Sequence, residues 1–315
     1  MRLTLTLALS VALALPGCMT QWGDGGPPES AVDDLFGGGG DLFGSGDDSN
    51  DDGVRAPGST WTGVGASENH SCAMNELGGV RCWGSDFWGE SALPAGTYDD
   101  FSVGNDVTCG LTDGQLVCVG DQDLLPPPGE YMDVGAGRRY AACALEADGS
   151  AVCWGFCNYG ICADAPDGPF VEIATGEDHA CALAADGAVT CWGSDVDDEL
   201  DVPAGAFTQI DAGAAHTCGV RQDGSVACWG ANPSGQSDPP EGTFNDVAAG
   251  WHHSCGVKDD GEIACWGRDE AGKFPAGNGW AAVAAGENHS CAVALDGSVS
   301  CWGADEAGQS TPPAL

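Results

Sequence analysis

Histidine and cysteine are the residue types in this sequence whose spacing could support chemistry. Five of the six histidines stand at equivalent places along the chain. Because imidazole is the commonest metal ligand among side chains, a ring of histidines could hold a metal ion. The alternative is a structural role. We favour it because the same residue recurs at one equivalent position, whereas active sites tend to break symmetry. The five are His70, His179, His216, His253 and His289.

Sixteen of the 17 cysteines form pairs, and seven of these pairs recur at steps of 37, 34, 38, 37, 37 and 36 residues. A three-residue turn at Gln222-Asp223-Gly224, with the glycine left-handed, would place Cys218 opposite Cys228. In the shorter second repeat, a two-residue turn at Asp113 and Gly114 would do the same. The second repeat is shorter and still places its two cysteines opposite each other, which indicates disulfides. The alternative is that the cysteines bind zinc, but their spacing does not suit a zinc site. The predicted bonds are Cys72–Cys82, Cys109–Cys118, Cys143–Cys153, Cys157–Cys162, Cys181–Cys191, Cys218–Cys228, Cys255–Cys265 and Cys291–Cys301.

Catalytic patterns are missing from the sequence. Residues 195–201 alternate carboxylates with other side chains and could chelate calcium, although we favour a solvated acidic loop. No nucleophile elbow, His-Glu-x-x-His motif, phosphate loop or dinucleotide fingerprint occurs. Nothing brings a nucleophile together with a base and a group to orient it. We therefore predict that the protein is not an enzyme, uses no cofactor and binds no metal.

The net charge excludes some partners. The chain has 48 acidic and 9 basic residues, a formal charge of −39. Residues 59–315 account for −32 of this, from 39 acidic and 7 basic side chains. Nucleic acid and anionic membrane surfaces would be repelled by such a charge. We therefore expect neither as a partner.

The first 58 residues have the composition of an export signal and a linker. Arg2 precedes an apolar run over 3–15 that is too short to span a bilayer. The sequence Leu15-Pro16-Gly17-Cys18 resembles the lipobox of bacterial lipoproteins, which implies a signal peptide over 1–17 and acylation of Cys18. A plain secretory signal is the alternative. Residues 18–58 are rich in glycine and aspartate and predict a disordered linker. The expected location is the bacterial cell envelope, at the outer membrane or cell surface, with membrane contact only through the lipid anchor.

The remainder of the chain is a β-rich array of repeats. An aromatic residue stands about eleven residues before the first cysteine of each pair, and tryptophan follows the second in six repeats. Short β-type runs are separated by Asp-Gly and Pro-Pro-x-Gly turns, with no helical period, which predicts antiparallel meanders. The repeats start near residues 61, 98, 131, 170, 207, 244 and 280.

The repeats resemble those of the regulator-of-chromosome-condensation family. The shared motif is Ala-Gly-x-x-His-Ser-Cys-x-Val-x-x-Asp-Gly-x-Val-x-Cys-Trp-Gly, continued by x-(Asp/Asn)-x-x-Gly-Gln, and residues 284–309 match it almost throughout. The resemblance covers residues 59–315 and implies an all-β fold, a seven-bladed β-propeller with one disulfide-bonded repeat of about 37 residues per blade. It also implies that the histidines join neighbouring blades by hydrogen bonds. The short repeats are similar to bacterial members such as the type II β-lactamase inhibitory protein. Val107, Val119 and Ala141 depart from the motif.

A family activity does not transfer with a fold, and we disfavour guanine-nucleotide exchange because the chain carries an export signal. If the strands rise and fall in turn, two variable loops of each repeat share one face, where aromatic and arginine side chains are typical of interfaces. We predict a monomeric, envelope-anchored module that binds a protein, or alternatively a glycan. An enzymatic or metal-binding propeller is a second hypothesis, and a purely structural envelope component is a third. The predicted ligand-binding residues are Phe87, Trp88, Arg138, Arg139, Tyr140, Phe156, Tyr159, Trp251 and His252.

Overall fold

Seven three-stranded antiparallel sheets follow one another along the chain in the computed structural model, which describes residues 60–139, 141–268 and 274–313. The predicted class, an all-β seven-bladed propeller, is confirmed. The predicted signal peptide, Cys18, the linker over 18–58 and Tyr140 lie outside the described residues. Within the described residues, no helix is long and apolar enough to cross a membrane.

Each blade is a meander of three consecutive strands, which we name inner, middle and outer in chain order. The inner strands are β1 (Trp61–Ala66), β4 (Asp100–Val103), β7 (Tyr131–Gly135), β10 (Phe170–Thr175), β13 (Phe207–Ala212), β16 (Phe244–Ala249) and β19 (Trp280–Ala285). The middle strands are β2 (His70–Asn75), β5 (Val107–Thr112), β8 (Ala141–Glu146), β11 (His179–Ala184), β14 (His216–Arg221), β17 (His253–Lys258) and β20 (His289–Ala294). The outer strands are β3 (Val80–Gly84), β6 (Gln115–Gly120), β9 (Ala151–Gly155), β12 (Val189–Gly193), β15 (Val226–Gly230), β18 (Ile263–Gly267) and β21 (Val299–Gly303). Two short 3-10 helices, Gln122–Leu124 and Asn158–Gly160, follow β6 and β9.

Seven of the eight predicted disulfides cross from the middle to the outer strand of one blade. In each of these, the two cysteines are directly opposite partners in the strand register, as Cys218 and Cys228 are in β14 and β15. The turn between those strands holds Gly224 at φ +83°. The shorter turn of the second blade has Asp113 at φ 49° and Gly114 at φ 74°, which is the type I′ geometry of a two-residue hairpin. Both predicted turns are therefore confirmed, and the eighth bond joins Cys157 to Cys162.

The hydrophobic core lies mainly between neighbouring blades. Phe244 and Val247 of β16, for example, pack against Cys218, Val220 and Val226 of the preceding blade. The same arrangement joins the last blade to the first, where Trp61 packs with the buried residues of β20. Each blade therefore buries its apolar surface on its neighbours, and burial of this kind contributes about 25 cal/mol per Å² of apolar surface.

The ring closes without exchange of a strand between its ends. Every sheet consists of three strands that are consecutive in the chain, including the first and the last. The Trp61 amide donates to the carbonyl of Gly297 at 3.0 Å, and the Glu287 amide donates to the carbonyl of Ser67 at 2.9 Å. The Trp83 indole Nε1 donates to the carbonyl of Gln309 at 2.8 Å. Closure therefore rests on the same kind of contacts that join the other blades.

Candidate functional site

Two loops of each blade lie side by side at one end of the propeller. One joins the inner to the middle strand and the other follows the outer strand, and we call their combined surface the loop face. The Ser85 amide donates to the carbonyl of Asn69 at 2.8 Å, which joins the two loops of the first blade. Ser194 and Asp178 repeat this bond in the fourth blade at 2.8 Å. The shared face expected from the sequence is therefore present.

Beneath the loop face, the five equivalent histidines join each blade to the next. In every case the imidazole Nε2 lies within hydrogen-bond distance of a serine or threonine hydroxyl at the start of the next middle strand. The pairs are His70–Thr108 at 2.8 Å, His179–Thr217 at 2.8 Å, His216–Ser254 at 2.8 Å, His253–Ser290 at 2.8 Å and His289–Ser71 at 2.7 Å. The last pair closes the ring, so the structural interpretation of these histidines accounts for their positions.

The hydroxyl protons fix the tautomer of two of these histidines. Ser254 donates its hydroxyl to the carbonyl of Gln236 at 3.0 Å, and Ser71 donates to the carbonyl of Gln309 at 3.1 Å. In this arrangement the Nε2 atoms of His216 and His289 carry the proton and donate it to the hydroxyl oxygens, while each Nδ1 keeps its lone pair. Among the described residues, no group of three His, Cys, Asp or Glu side chains is arranged to hold a metal ion.

Burial keeps all five imidazoles neutral. Desolvation lowers the pKa of His70, His179 and His253 to about 4. For His216 and His289 the pKa falls to about 3, again mainly by burial, with nearby cationic groups adding to the shift. Groups that stay uncharged at neutral pH and bond to fixed hydroxyls are poor candidates for proton transfer to a ligand.

The partners of the histidines were missed by the sequence reasoning, although the sequence contains the signal. The second blade has Val107 in the histidine position, and the third blade has Ala142 where a hydroxyl would stand. The third blade has Ala141 in the histidine position, and the fourth has Ala180 in the hydroxyl position. The histidine and the hydroxyl of the next repeat are therefore present or absent together, which a comparison of adjacent repeats would have revealed.

This pairing predicts strong coupling between His216 and Ser254. We expect His216→Val to lower the free energy of unfolding by about 2–4 kcal/mol, because it leaves a cavity and removes the donor to the buried Ser254 oxygen. Adding Ser254→Ala reproduces the natural combination Val107–Ala142 and should cost about 1–2 kcal/mol less than the sum of the two single changes. Urea unfolding of the wild type, both single variants and the double variant measures this coupling. Strictly additive losses would contradict it.

The inner strands surround a central channel. Carboxylate side chains of these strands form a second set of blade-to-blade bonds, which the sequence analysis did not identify. Asp133 accepts a hydrogen bond from the Ile173 amide at 2.6 Å. Glu172 accepts one from the Ile210 amide at 3.0 Å. The Gln209 side chain takes the same position in β13 and accepts from the Val247 amide at 3.1 Å. These side chains occupy the third position of the inner strands and satisfy amides at strand edges that no other strand covers.

Burial also changes the titration of these carboxyl groups. The pKa of Asp133 rises to about 7, first through desolvation and then through the nearby Asp100 carboxylate. The pKa of Glu172 rises to about 8 and that of Asp246 to about 6, both mainly by desolvation. At pH 7 Glu172 is therefore mostly protonated and Asp133 about half protonated, whereas Asp246 is mostly ionised. The carboxyl groups act as hydrogen-bond acceptors for the neighbouring blade.

The acidic segment 195–201 is folded by its own carboxylates. Asp195 accepts a hydrogen bond from the Leu200 amide at 3.2 Å. The buried Glu199 accepts one from the Asp197 amide at 2.7 Å. The same position is held by Glu90 in the first blade, where it accepts from the Trp88 amide at 2.7 Å. These hydrogen bonds within the segment order the loop. Residues 195–198 are exposed to solvent, whereas Glu199 is buried.

Two pairs of aromatic residues from the predicted ligand-binding set are exposed on the loop face. Phe87 and Trp88 form an edge-to-face pair with ring centroids 5.0 Å apart. Tyr159 lies in the loop that the Cys157–Cys162 bond closes, and Phe156 directly precedes that loop. The pairs belong to the first and third blades, so the structure does not join them into one cluster.

Arg139, Trp251 and His252 come together at the mouth of the channel. The Arg139 guanidinium lies 5.5 Å from the centroid of the Trp251 ring. It also forms an ion pair with Glu177 at 3.3 Å. The Trp251 and His252 rings are 6.1 Å apart. Loops from the third, fourth and sixth blades therefore meet here, which the sequence alone did not indicate.

The Arg138 side chain turns inward, and its ligand-binding role stays a prediction. Its side chain enters the channel, where Nε donates to the carbonyl of Ala212 at 3.1 Å and Nη2 donates to the carbonyl of Ala249. Burial lowers the pKa of Arg138, and the Asp211 carboxylate opposes this shift. The guanidinium is directed inward because the ends of β13 and β16 offer free carbonyls beside a carboxylate. Arg138 thus belongs to the packing of the channel.

Comparison with known proteins supports the fold and the repeat assignment. The model of the regulator of chromosome condensation (RCC1) repeat matches residues 170–197, 207–236, 244–273 and 280–309. No curated protein matches the sequence. The chain is similar to the ectodomain of the receptor kinase CR4 from Physcomitrella patens, with 27% identity, a TM-score of 0.67 and coverage of 78% of this chain and 73% of that one.

Two further solved structures are similar. The ectodomain of the Arabidopsis thaliana receptor kinase ACR4 is 26% identical, with a TM-score of 0.65 and coverage of 78% of this chain and 97% of that one. Yeast RCC1 (Prp20), solved in complex with Kap60, is 20% identical, with a TM-score of 0.50 and coverage of 78% and 70%. The closer similarity to the β-lactamase inhibitory protein stays a prediction. The repeat matches show that four of the seven blades, the fourth to the seventh, are built from RCC1-type repeats, and the seven-bladed fold agrees with this.

Proposed function

We propose that the chain is an exported, envelope-anchored module that holds a protein partner on its loop face. The observation that carries this proposal is the exposure of four aromatic side chains there. Phe87 is 81% exposed, Trp88 54%, Phe156 52% and Tyr159 63%. Aromatic residues dominate the energetics of protein interfaces, and leaving them in water is otherwise unfavourable.

The surrounding loops hold these side chains in place before a partner arrives. The buried Glu90 carboxylate accepts hydrogen bonds from the Trp88 amide at 2.7 Å and from the Ser85 hydroxyl at 2.7 Å. The Cys157–Cys162 bond closes the loop that carries Tyr159, and Phe156 directly precedes Cys157. Preorganised side chains lose less conformational entropy on association, which favours binding.

Compartment and charge agree with this role. Eight disulfides indicate an oxidising, extracytoplasmic environment. Two of the similar structures are ectodomains of receptor kinases, so related propellers operate outside the cytoplasm. With a formal charge of −39, the chain would attract a basic partner most strongly. The lipid anchor at Cys18 remains part of the proposal.

Affinity capture with the full chain tests the proposed function. Three baits are compared: the wild type, a loop-face variant and a control. The loop-face variant carries Trp88→Ala together with Tyr159→Asn, and asparagine is chosen because it tolerates the positive φ of Tyr159. The matched control carries Leu77→Ala and Leu295→Ala, which remove side chains that are 55% and 77% exposed in turns at the other end of the blades.

We expect the wild type and the control to retain the same protein from extracts of the producing organism. The loop-face variant should retain at least tenfold less of it, since hot-spot aromatics typically contribute 2 kcal/mol or more. Equal capture by all three baits would contradict the proposal. Capture that survives protease treatment of the extract would favour a glycan ligand instead.

A further inference from the structure

We propose that the Cys157–Cys162 bond is a redox switch on the loop face. A dithiol that reduces this bond frees residues 156–160 and weakens binding of the protein partner. The inference concerns the regulation of the proposed binding surface and rests on the proposed function. The freed segment contains Phe156 and Tyr159, which are 52% and 63% exposed. Reduction therefore acts on two of the aromatic side chains that the proposed function requires.

In four other blades, a buried glutamate or glutamine holds the loop that follows the outer strand. This residue stands seven positions after the tryptophan of the outer strand. Its side chain is at most 3% exposed and accepts the amide of the residue two positions before it. The pairs are Trp88–Glu90 at 2.7 Å, Asp197–Glu199 at 2.7 Å, Ser234–Gln236 at 2.9 Å and Ala307–Gln309 at 2.8 Å.

The third blade has Ile161 at this position. Ile161 also stands seven positions after a tryptophan, Trp154, and it is fully buried. Its carbonyl accepts a hydrogen bond from the Trp192 indole at 2.8 Å, just as the carbonyl of Gln236 accepts one from the Trp266 indole at 2.8 Å. An isoleucine side chain has no acceptor, however, so it cannot bind an amide of its own loop.

The Cys157–Cys162 bond takes the place of the missing acceptor. It joins the exposed Cys157 to Cys162, which packs half-buried against the core cluster that contains Ile161. The backbone hydrogen bonds of the segment are local. The Asn158 amide donates to the carbonyl of Phe156 at 2.9 Å, and the Ile161 amide donates to the carbonyl of Asn158 at 3.1 Å. Such bonds shape the segment but do not fix it to the blade.

Tyr159 has an unfavourable backbone conformation in the closed loop. Its φ of 49° lies in the left-handed region, which residues other than glycine adopt infrequently. The side chain of Asn158, just before it, forms a hydrogen bond with the Asp178 carboxyl of the fourth blade. A single polar contact near the surface contributes little stability. Once the disulfide is open, Tyr159 can therefore relax to other conformations.

The position of the bond allows it to be reduced without unfolding the blades. Cys157 is exposed to solvent. In the seven cross-strand bonds, the first cysteine is fully buried and the second is half-buried. Exposed disulfides are the ones that serve as labile or regulatory bonds in exported proteins. A reductant can therefore act on the loop face selectively.

The reaction is a thiol–disulfide exchange with a dithiol as the reductant. A thiolate of the dithiol attacks the exposed sulfur of Cys157, the S–S bond breaks, and Cys162 leaves as a thiolate that takes a proton from water. The second thiolate of the dithiol then attacks its own sulfur in the mixed disulfide and displaces Cys157, which is protonated in turn. The protein gains two electrons and two protons, and the dithiol becomes a cyclic disulfide.

Hydrogen–deuterium exchange of the full chain tests the loop without a partner. The oxidised wild type is compared with the wild type in mild dithiothreitol and with the variant that carries Cys157→Ser and Cys162→Ser. We expect residues 156–160 to exchange roughly tenfold faster in the reduced chain and in the variant. Residues 85–91 are the matched control, because Glu90 holds their loop, and they should exchange equally in all three samples.

Affinity capture from extracts of the producing organism tests the effect on binding. The reduced wild type should retain about fivefold less of the partner than the oxidised one, because Phe156 and Tyr159 are no longer preorganised. The double-serine variant should retain as little as the reduced wild type. It should also show no response to dithiothreitol, which separates the switch from any action of the reductant on the partner.

The outcomes separate this inference from the proposed function. Equal exchange of residues 156–160 before and after reduction would overturn the switch. So would equal capture by the oxidised and the reduced wild type, while the loop-face variant would still decide the proposed function. Faster exchange on reduction, with no protein captured by any bait, would support the redox-sensitive loop and contradict the proposed function.

Discussion

Complete reduction of the disulfides is expected to unfold the propeller, while the Cys157–Cys162 bond alone should be reducible in the folded protein. In the seven cross-strand bonds, the first cysteine is fully buried, as Cys72 and Cys218 are. Cys157, in contrast, lies in an exposed part of its loop. The outer-strand cysteine of each cross-strand bond is half-buried, so reductant should reach the exposed loop bond first and the seven cross-strand bonds mainly when the blades open.

The expected loss is large. Each cross-strand bond closes a loop of about ten residues and should contribute about 2–3 kcal/mol in the chain-entropy description. Seven such bonds contribute on the order of 15–20 kcal/mol, which exceeds the 5–15 kcal/mol net stability typical of a folded domain. The reduced chain should therefore stay unfolded after denaturant is removed.

Thiol alkylation and mass spectrometry measure this prediction. Mild reductant should label only Cys157 and Cys162 and leave the circular dichroism spectrum unchanged. Reductant with urea should label all cysteines of the propeller and abolish the β signal. If the fully reduced chain regained the native circular dichroism spectrum in buffer, the prediction that the fold needs the blade disulfides would be contradicted.

Stability should pass through a maximum near pH 6–7 and fall on both sides. The five buried histidines have folded pKa values of about 3 to 4, below the unfolded value of about 6.5. Their contribution is fully present above pH 6.5 and is lost as the pH falls towards 4.

The channel carboxyls act in the opposite direction. Their folded pKa values are about 7 for Asp133, 8 for Glu172 and 6 for Asp246, above the unfolded values of about 4. Their contribution is present below pH 4 and is lost as the pH rises through 6 to 8. Because five histidines outnumber these three carboxyls, the acid side should be the steeper, at roughly 1–3 kcal/mol per pH unit.

Urea unfolding at pH 4.5, 6.5 and 8.5 tests the two opposing effects. Glu172→Gln keeps an acceptor for the Ile210 amide but cannot titrate, so it should flatten the decline above pH 6.5 and make the rise from pH 4.5 to 6.5 steeper, because Glu172 opposes that rise between its unfolded and folded pKa values. Stability that rises steadily from pH 4.5 to 8.5 in the wild type would contradict the assignment of the channel carboxyls.

The blade architecture could be predicted from the sequence because spacing encodes it directly. The turns at Asp113-Gly114 and Gln222-Gly224 differ by one residue and still oppose their cysteines. That constraint fixes the hairpin, and its repetition gives the number of blades. Whether the side chain of the third residue of each inner strand faces the channel could not be predicted in this way. That depends on how the ring closes, and the alternation of residues along a single strand does not reveal it.

The loop face was predictable in part. Strand alternation alone places both loops at one end, and the exposed pairs beginning at Phe87 and Phe156 followed from it. The inward direction of the Arg138 side chain was not predicted, because a loop sequence does not specify which way a long side chain turns. The placement of Tyr159 depends on its left-handed backbone and on the closure of its loop by the Cys157–Cys162 bond, and the left-handed backbone leaves no pattern in the sequence.

Hydrogen–deuterium exchange of the full chain with its captured partner tests the central claim, that the loop face is the binding surface. We predict slower exchange in residues 85–91 and 156–162 when the partner is bound, with the turns around Leu77 and Leu295 unchanged. Protection confined to those turns, with the two loop segments exchanging as in the free chain, would contradict the claim.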